Sequence, residues 1–178
     1  MLELEIGDEA FDQDLNVFVL TNVVKLELEH SLASLSKWES KYKVPFLSSD
    51  KTPEQLTDYI TMMCQTPNVA PEVFSRLDES HYEAINEYLN DKMTATWFGK
   101  DPNEKPQQRI ITAEVIYYWM TALNIPFECQ YWHLNRLITL VRVINTENAP
   151  KKPMSRAEQA RQQRAINAQR LQAQGGRG

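Results

Sequence analysis

The chain opens on a strict alternation: Leu2-Glu3-Leu4-Glu5-Ile6 sends every second side chain to the same face. Lys25-Leu26-Glu27-Leu28-Glu29 repeats it, and such a period of two buries one face of a strand while solvating the other. Between the two runs, Val17 to Leu20 is rich in strand formers, and Thr21-Asn22 reads as a turn before the second alternation. The pattern predicts a small antiparallel sheet at the N-terminus.

From Ser31 onward the spacing becomes helical. Leu32, Leu35, Trp38 and Tyr42 share one face of a segment over Ser31 to Tyr42. Thr52-Pro53-Glu54-Gln55 is a helix start, with Thr as cap, Pro in the first turn and Gln returning a hydrogen bond. That helix should reach about Cys64 and bury Leu56, Tyr59, Ile60 and Met63. A short helix through Val73, Phe74 and Leu77 follows, and Asp78 or Ser80 can cap the next, with Tyr82, Ile85, Tyr88 and Leu89 on one face.

The stretch GKDPNEKP, Gly99 to Pro106, is the clearest internal loop. Two strong helical segments are expected after it, over 108–123 and 127–145, because Pro126 disfavours helix at the residue before it. Folded back as a hairpin, they would set Tyr118, Trp119, Ala122 and Leu123 against Trp132, Leu134, Leu137 and Val141. Beyond Pro150-Lys-Lys-Pro153, Ser155-Arg156-Ala157-Glu158 forms a capping box ahead of good helix formers. The apolar stripe there is thin, so the helix should be marginal alone and its Gly-Gly-Arg-Gly end disordered. The expected fold is α+β: a mostly helical domain over 1–148 with a small N-terminal antiparallel β-sheet, then a basic, partly disordered helical tail over 149–178.

Charge changes this picture. The net −5 conceals a split, because residues 149–178 carry seven Lys/Arg against one acid, +6, and residues 1–148 carry twelve against twenty-three, −11. An acidic body with a basic tail suits interaction better than catalysis. The apolar share of 42% is enough for a core. Cys64 and Cys129 are too few and too far apart for a disulfide framework, which fits a reducing compartment. The start MLELEIGDEAF is acidic where a secretion signal needs a basic flank, and no apolar run approaches the roughly 18 residues of a membrane span. Neither export nor membrane insertion is expected.

Candidate chemistry concentrates in IYYWMTALNIPFECQYWHLNRLITLVRV, residues 116–143. On one helix Cys129 and His133 would share a face, yet two ligands fall short of a zinc site, and a nucleophilic Cys also needs an oxyanion hole. Packing is the better reading, with no catalytic, cofactor or metal residue assigned. Tyr117, Tyr118, Trp119, Phe127, Tyr131 and Trp132 lack the interleaved basic residues of a nucleic-acid platform before Arg136, so they are expected as core. Arg136 and Arg142 should pair with acids such as Glu114 or Glu128 or extend to solvent, and His30 and His81 should be surface or capping residues. In the tail, Arg156, Arg161, Arg164, Ile166, Arg170 and Leu171 are the candidate partner-binding residues. Its Gln and Ala content favours docking on protein over DNA.

Taken together, LEHSLASLSKWES (28–40), MTATWF (93–98), the 114–143 block and the Pro-Lys-Lys-Pro-Met-Ser opening of the tail resemble tail assembly chaperones of long-tailed bacteriophages, in the version common in actinobacterial phages. The resemblance spans nearly the whole chain and is weakest in 7–22 and the last dozen residues. It implies a non-enzymatic protein of the host cytoplasm that binds the tape measure protein, keeps it soluble and recruits tail tube protein around it. It also implies a longer, frameshifted form of the same chain as a partner. A phage DNA-packaging or head-tail junction protein with a DNA-contacting tail is the alternative.

Overall fold

The computed structural model describes residues 1–13, 15–96, 98, 110–149, 160, 161, 163, 164 and 167, apart from the side chains at positions 9 and 12. The fold is α+β, with two compact units, Met1–Ile144 and Asn145–Gly178.

Strands β1 (Leu2–Asp12) and β2 (Val17–Leu28) form one antiparallel ribbon in which Leu2 pairs with Leu28, Leu4 with Leu26 and Ile6 with Val24. The alternation acts as expected: Leu4, Ile6, Leu26 and Leu28 are buried, while Glu3, Glu5, Lys25 and Glu27 face water. The turn does not lie at Thr21-Asn22. Strand β2 runs through that dipeptide, and the chain reverses between Asp12 and Val17, with Asn16 at a left-handed φ of 52°.

What Thr21-Asn22 supplies is a break in register between Ile6 and Asp8, with Asn22 at φ 50°. The Asn22 amide donates to Asp8 Oδ2 (3.0 Å), the Thr21 hydroxyl to the Asp8 carbonyl (3.1 Å), and Arg76 pairs with Asp8 at 3.0 Å. Gly7 lies opposite, where a Cβ would sit 2.9 Å from the Thr21 carbonyl oxygen, a backbone atom with little room to yield. Gly7→Ala should therefore destabilise by about 1–3 kcal/mol, the usual cost of overpacking, read as a lower denaturation midpoint with unchanged slope.

Helix α1 (Leu32–Tyr42) starts at Ser31, whose hydroxyl accepts from the Ser34 N–H, and stops at Lys43, left-handed at φ 59°. Helix α2 (Pro53–Met63) has the predicted capping box of Thr52 and Gln55. It buries Tyr59, Ile60 and Met63, but Leu56 is exposed at the helix margin. The chain leaving α2 hydrogen-bonds to β2: Glu29 N–H reaches the Met63 carbonyl (2.9 Å) and Gln65 N–H the Glu27 carbonyl (2.8 Å). The buried Trp38 indole donates to the Gln55 carbonyl at 2.9 Å and packs with Phe46, whose ring meets Tyr59.

Helix α3 (Pro71–Phe74) is one turn that buries Val73 and Phe74. Helix α4 (Glu79–Asn90) is capped by Asp78, joined by His81 as predicted for a capping histidine; the His81 Nε2–H also donates to the Glu5 carbonyl. Ile85 and Tyr88 are buried, with Tyr82 exposed. Helix α5 (Ala113–Ala122) follows residues 99–109, which are not described.

The single helix expected over 127–145 is two elements. Phe127–Tyr131 is a 3-10 turn, and α6 (Leu134–Asn148) begins after a break at Trp132-His133. His133 makes that break. Its carbonyl accepts from Leu137 N–H while its Nδ1 accepts from Asn135 N–H (3.3 Å), so it serves as the helix cap. The Leu134 N–H is taken by the His30 carbonyl at 2.7 Å, and Ser31 bridges to His133.

In the second unit Ala160, Arg161, Gln163, Arg164 and Asn167 are helical and exposed. The expected disordered end lies outside the described residues.

Candidate interaction surface

The Cys129 and His133 pair does not lie along one α-helix. Cys129 is buried in the 3-10 turn, and burial pushes its thiol above the ordinary range, with Glu128 adding to the effect. Such a thiol is a packing group, not a thiolate. The His133 Nε2–H donates to the Tyr88 carbonyl (3.0 Å) and Nδ1 faces Asn135 N–H, so both ring nitrogens are engaged elsewhere and the ring is neutral. Among the described residues no three His, Cys, Asp or Glu side chains converge on a metal site.

His30 is not a surface residue. It is buried, with Nδ1 2.6 Å from the Tyr59 hydroxyl and its ring 5.2 Å from that of His133. Burial, reinforced by His133, lowers its pKa to about 3. The His133 ring also sits edge-on to Tyr88 at 4.8 Å, and the Tyr88 hydroxyl donates to Glu29 at 2.6 Å. These side chains fasten β2, α2, α4 and α6 together. Their role is structural: the Tyr59 and Tyr88 hydroxyls, His30 Nδ1 and both His133 ring nitrogens each face another protein group.

The aromatic block is only partly core. Helix α5 turns Ala113, Ile116 and Met120 inward, leaving Tyr118 exposed and Trp119 half-buried; Ala122 is exposed as well. Phe127 and Tyr131 also face water. Tyr117 stacks on Phe127 and donates its hydroxyl to Gln130 (2.8 Å), so the rings make a border around the core. Arg136 and Arg142 both extend to solvent, one of the two arrangements expected of them, and each lies over a ring: the Arg136 guanidinium lies 4.2 Å from the centre of Trp132, and that of Arg142 4.4 Å from Phe98.

Among the described residues, a group of uncovered apolar side chains lies where the sequence pattern assigned no role. None of the described side chains from Asp8 to Val23 is buried. Phe18 is 70% exposed, Phe11 49%, and Val17, Leu20 and Val23 are exposed too. Phe11 and Phe18 pair across the ribbon with ring centres 5.1 Å apart. One signal was available: Val17-Phe18-Val19-Leu20 has four apolar residues in a row, which no two-stranded ribbon covered on one side can bury.

Of the tail residues, Arg161 and Arg164 are exposed on helix, whereas Arg156, Ile166, Arg170 and Leu171 lie outside the described residues. Among the described residues no helix is long and apolar enough to cross a membrane. No protein-family profile, curated protein or solved structure matches the chain.

Proposed function

We propose that the protein is a non-enzymatic tail assembly chaperone of a long-tailed bacteriophage, acting in the host cytoplasm. It binds the tape measure protein, keeps it soluble and promotes growth of the tail tube around it. The observation that carries this reading is a well-packed core that presents uncovered apolar side chains, at the distal ribbon and along the aromatic border of α5. A holding protein needs that combination: a rigid scaffold and apolar surface for stripes that have no other cover before assembly.

The remaining features are consistent with it. The acidic body favours solubility, and the tail, with Arg161 and Arg164 exposed, offers a second, cationic element that can order on a client. Several modest contacts acting together allow both retention and release. Competition by tail tube protein would free the client.

Co-expression tests the proposal. The tape measure protein should move from the insoluble to the soluble fraction and co-purify with the chain; if it stays as insoluble as when made alone, the reading fails. The exposed tail arginines also suit DNA at a head-tail junction. Salt-sensitive duplex binding that disappears on deleting 149–178, with no effect on tape measure solubility, would put that role in its place.

A further inference from the structure

Helix α6 begins inside the first unit, and its start is tied to other elements at three consecutive residues. The Leu134 N–H goes to the His30 carbonyl (2.7 Å) and the His133 Nε2–H to the Tyr88 carbonyl (3.0 Å). The Asn135 side-chain amide donates to the carbonyls of Leu89 (3.2 Å) and Asp91 (2.7 Å). His133 and Asn135 thus serve carbonyls at the C-terminal end of α4, while His133 also caps the start of α6.

This joint is built around a neutral imidazole. One His133 nitrogen donates to Tyr88 and the other accepts from the Asn135 N–H, so a proton added at Nδ1 sets two donors face to face. The positive end of the α6 dipole lies at the same place and opposes a cation there. The His30 ring, equally buried, sits edge-on 5.2 Å away, so charging both rings adds repulsion.

The groups around the pair come from every packed element. From α2 the Tyr59 hydroxyl meets His30 Nδ1, with Glu39 of α1 acting on Tyr59, and the Phe46 ring beside His30 carries Lys51 over it. From α4 come Tyr88 and Asp91, and after β2 comes Glu29, which holds the Tyr88 hydroxyl and the Met1 amine. Glu29 and Asp91 favour a charged His133 and the amine opposes it, but burial outweighs them and keeps its pKa below the ordinary value.

We propose that His30 and His133 are an acid-operated latch on α6: proton uptake by the pair frees the first turns of the helix, with the buried Leu134, Leu137 and Val141, while helices α1 and α2 stay folded. Those helices have ties of their own. The Trp38 indole holds the Gln55 carbonyl, and the chain leaving α2 is bonded to β2 at Glu27 and Glu29. None of these bonds loses a partner when an imidazole is charged. A local opening exposes both rings to water, where their ordinary affinity for protons returns, so acid favours the open form. The latch goes beyond the chaperone reading and holds whatever the chain binds.

Native-state hydrogen–deuterium exchange of the full chain, read by mass spectrometry at pH 7.5, 6 and 5 and corrected for intrinsic rates, tests the latch. Opening of segment 132–144 should rise about thirtyfold between pH 7.5 and pH 5 from His30 alone, and further with His133. At pH 5 this segment should open at least about tenfold more often than 32–42 and 53–63, and respond less to low urea, because a local opening exposes less surface than global unfolding. His30→Gln/His133→Asn keeps an acceptor for Tyr59 and a helix cap but takes up no proton, so it should remove the pH dependence at 132–144.

A common opening constant for all three segments at pH 5 overturns the proposal, since only global unfolding would then respond to acid. So does an opening of 132–144 that is independent of pH, or one that keeps its full rise in the double variant. The parent chain alone decides the first two outcomes, so a double variant that folds poorly does not shelter the latch from refutation.

Discussion

Replacing Glu39 by Ala should cost about 2–4 kcal/mol of stability, more than any surface change in this chain, and lower the melting temperature by roughly 5–15 °C. Glu39 is charged in sequence yet buried, and each carboxylate oxygen holds a backbone amide: Oε1 accepts from Phe46 N–H (2.8 Å) and Oε2 from Ala113 N–H (2.7 Å). Ala113 is the first residue of α5, whose own cap, Thr112, makes no side-chain hydrogen bond to it. Glu39 thus caps a helix from 74 residues away and meets the positive end of its dipole.

Removing the carboxylate orphans two amides, at about 1–3 kcal/mol each, though relief from burying a charge returns part of that. Glu39→Gln keeps the shape but presents a donor to one of the amides, so it should fall between Ala and the parent. A thermal or urea series over the three chains checks the order. A loss below about 1 kcal/mol for Glu39→Ala would mean that water replaces the side chain at both amides.

The second large effect is a loss of stability in mild acid. His30 is held neutral by burial, with a folded pKa of about 3 against 6.5, and burial lowers that of His133 as well. Because the folded pKa is below the unfolded one, the unfolded chain binds more protons below pH 6.5, and stability falls as pH falls. Each histidine contributes up to about 1.4 kcal/mol per pH unit in its window, which for His30 extends from about 6.5 to about 3. Between pH 7.5 and pH 5, His30 alone should account for about 2 kcal/mol.

Protonated His133 would also direct an Nδ1–H at the Asn135 N–H, donor against donor. Asp8, Asp58 and Asp78, each lowered by hydrogen bonds, add losses of the same sign only below about pH 4. Urea titrations at several pH values separate the two windows, and His30→Gln, which retains an acceptor for Tyr59, should flatten the upper one. An unchanged slope between pH 7.5 and pH 5 in that variant would clear His30 of the effect.

The parts of this fold that follow from neighbouring residues were readable in the sequence. The period-two runs, the Thr52–Gln55 box and the helical spacing of Leu32, Leu35 and Trp38 are all local chemistry, and all appear as expected. What failed depends on distant partners. His133 reads as one more residue of a helix until the Tyr88 carbonyl takes its Nε2–H and the His30 carbonyl takes the next amide. His30 reads as a surface or capping residue until Tyr59 and His133 enclose it, and nothing near Glu39 in the sequence marks the Phe46 and Ala113 amides that turn to it.

The candidate surface was harder still. Periodicity marks which residues can be buried together and says nothing of whether a covering layer exists. Val17 to Leu20 has strand character regardless of what lies above it, and the aromatics of 117–132 look like core until α5 turns Ile116 and Met120 inward in their place.

The link between His30 and α6 bears on the order in which the protein is made. Strand β2 and helix α1 leave the ribosome roughly a hundred residues before Leu134, whose amide closes on the His30 carbonyl. Until then His30 and the side of α1 around it face water, and the early segments cannot reach their final packing. Completion of the first unit is therefore a late event in synthesis, when one long loop closes and several elements lock at once. A nascent chain paused after α4 would carry the ribbon and its exposed distal half while the rest of its core still awaits a lid.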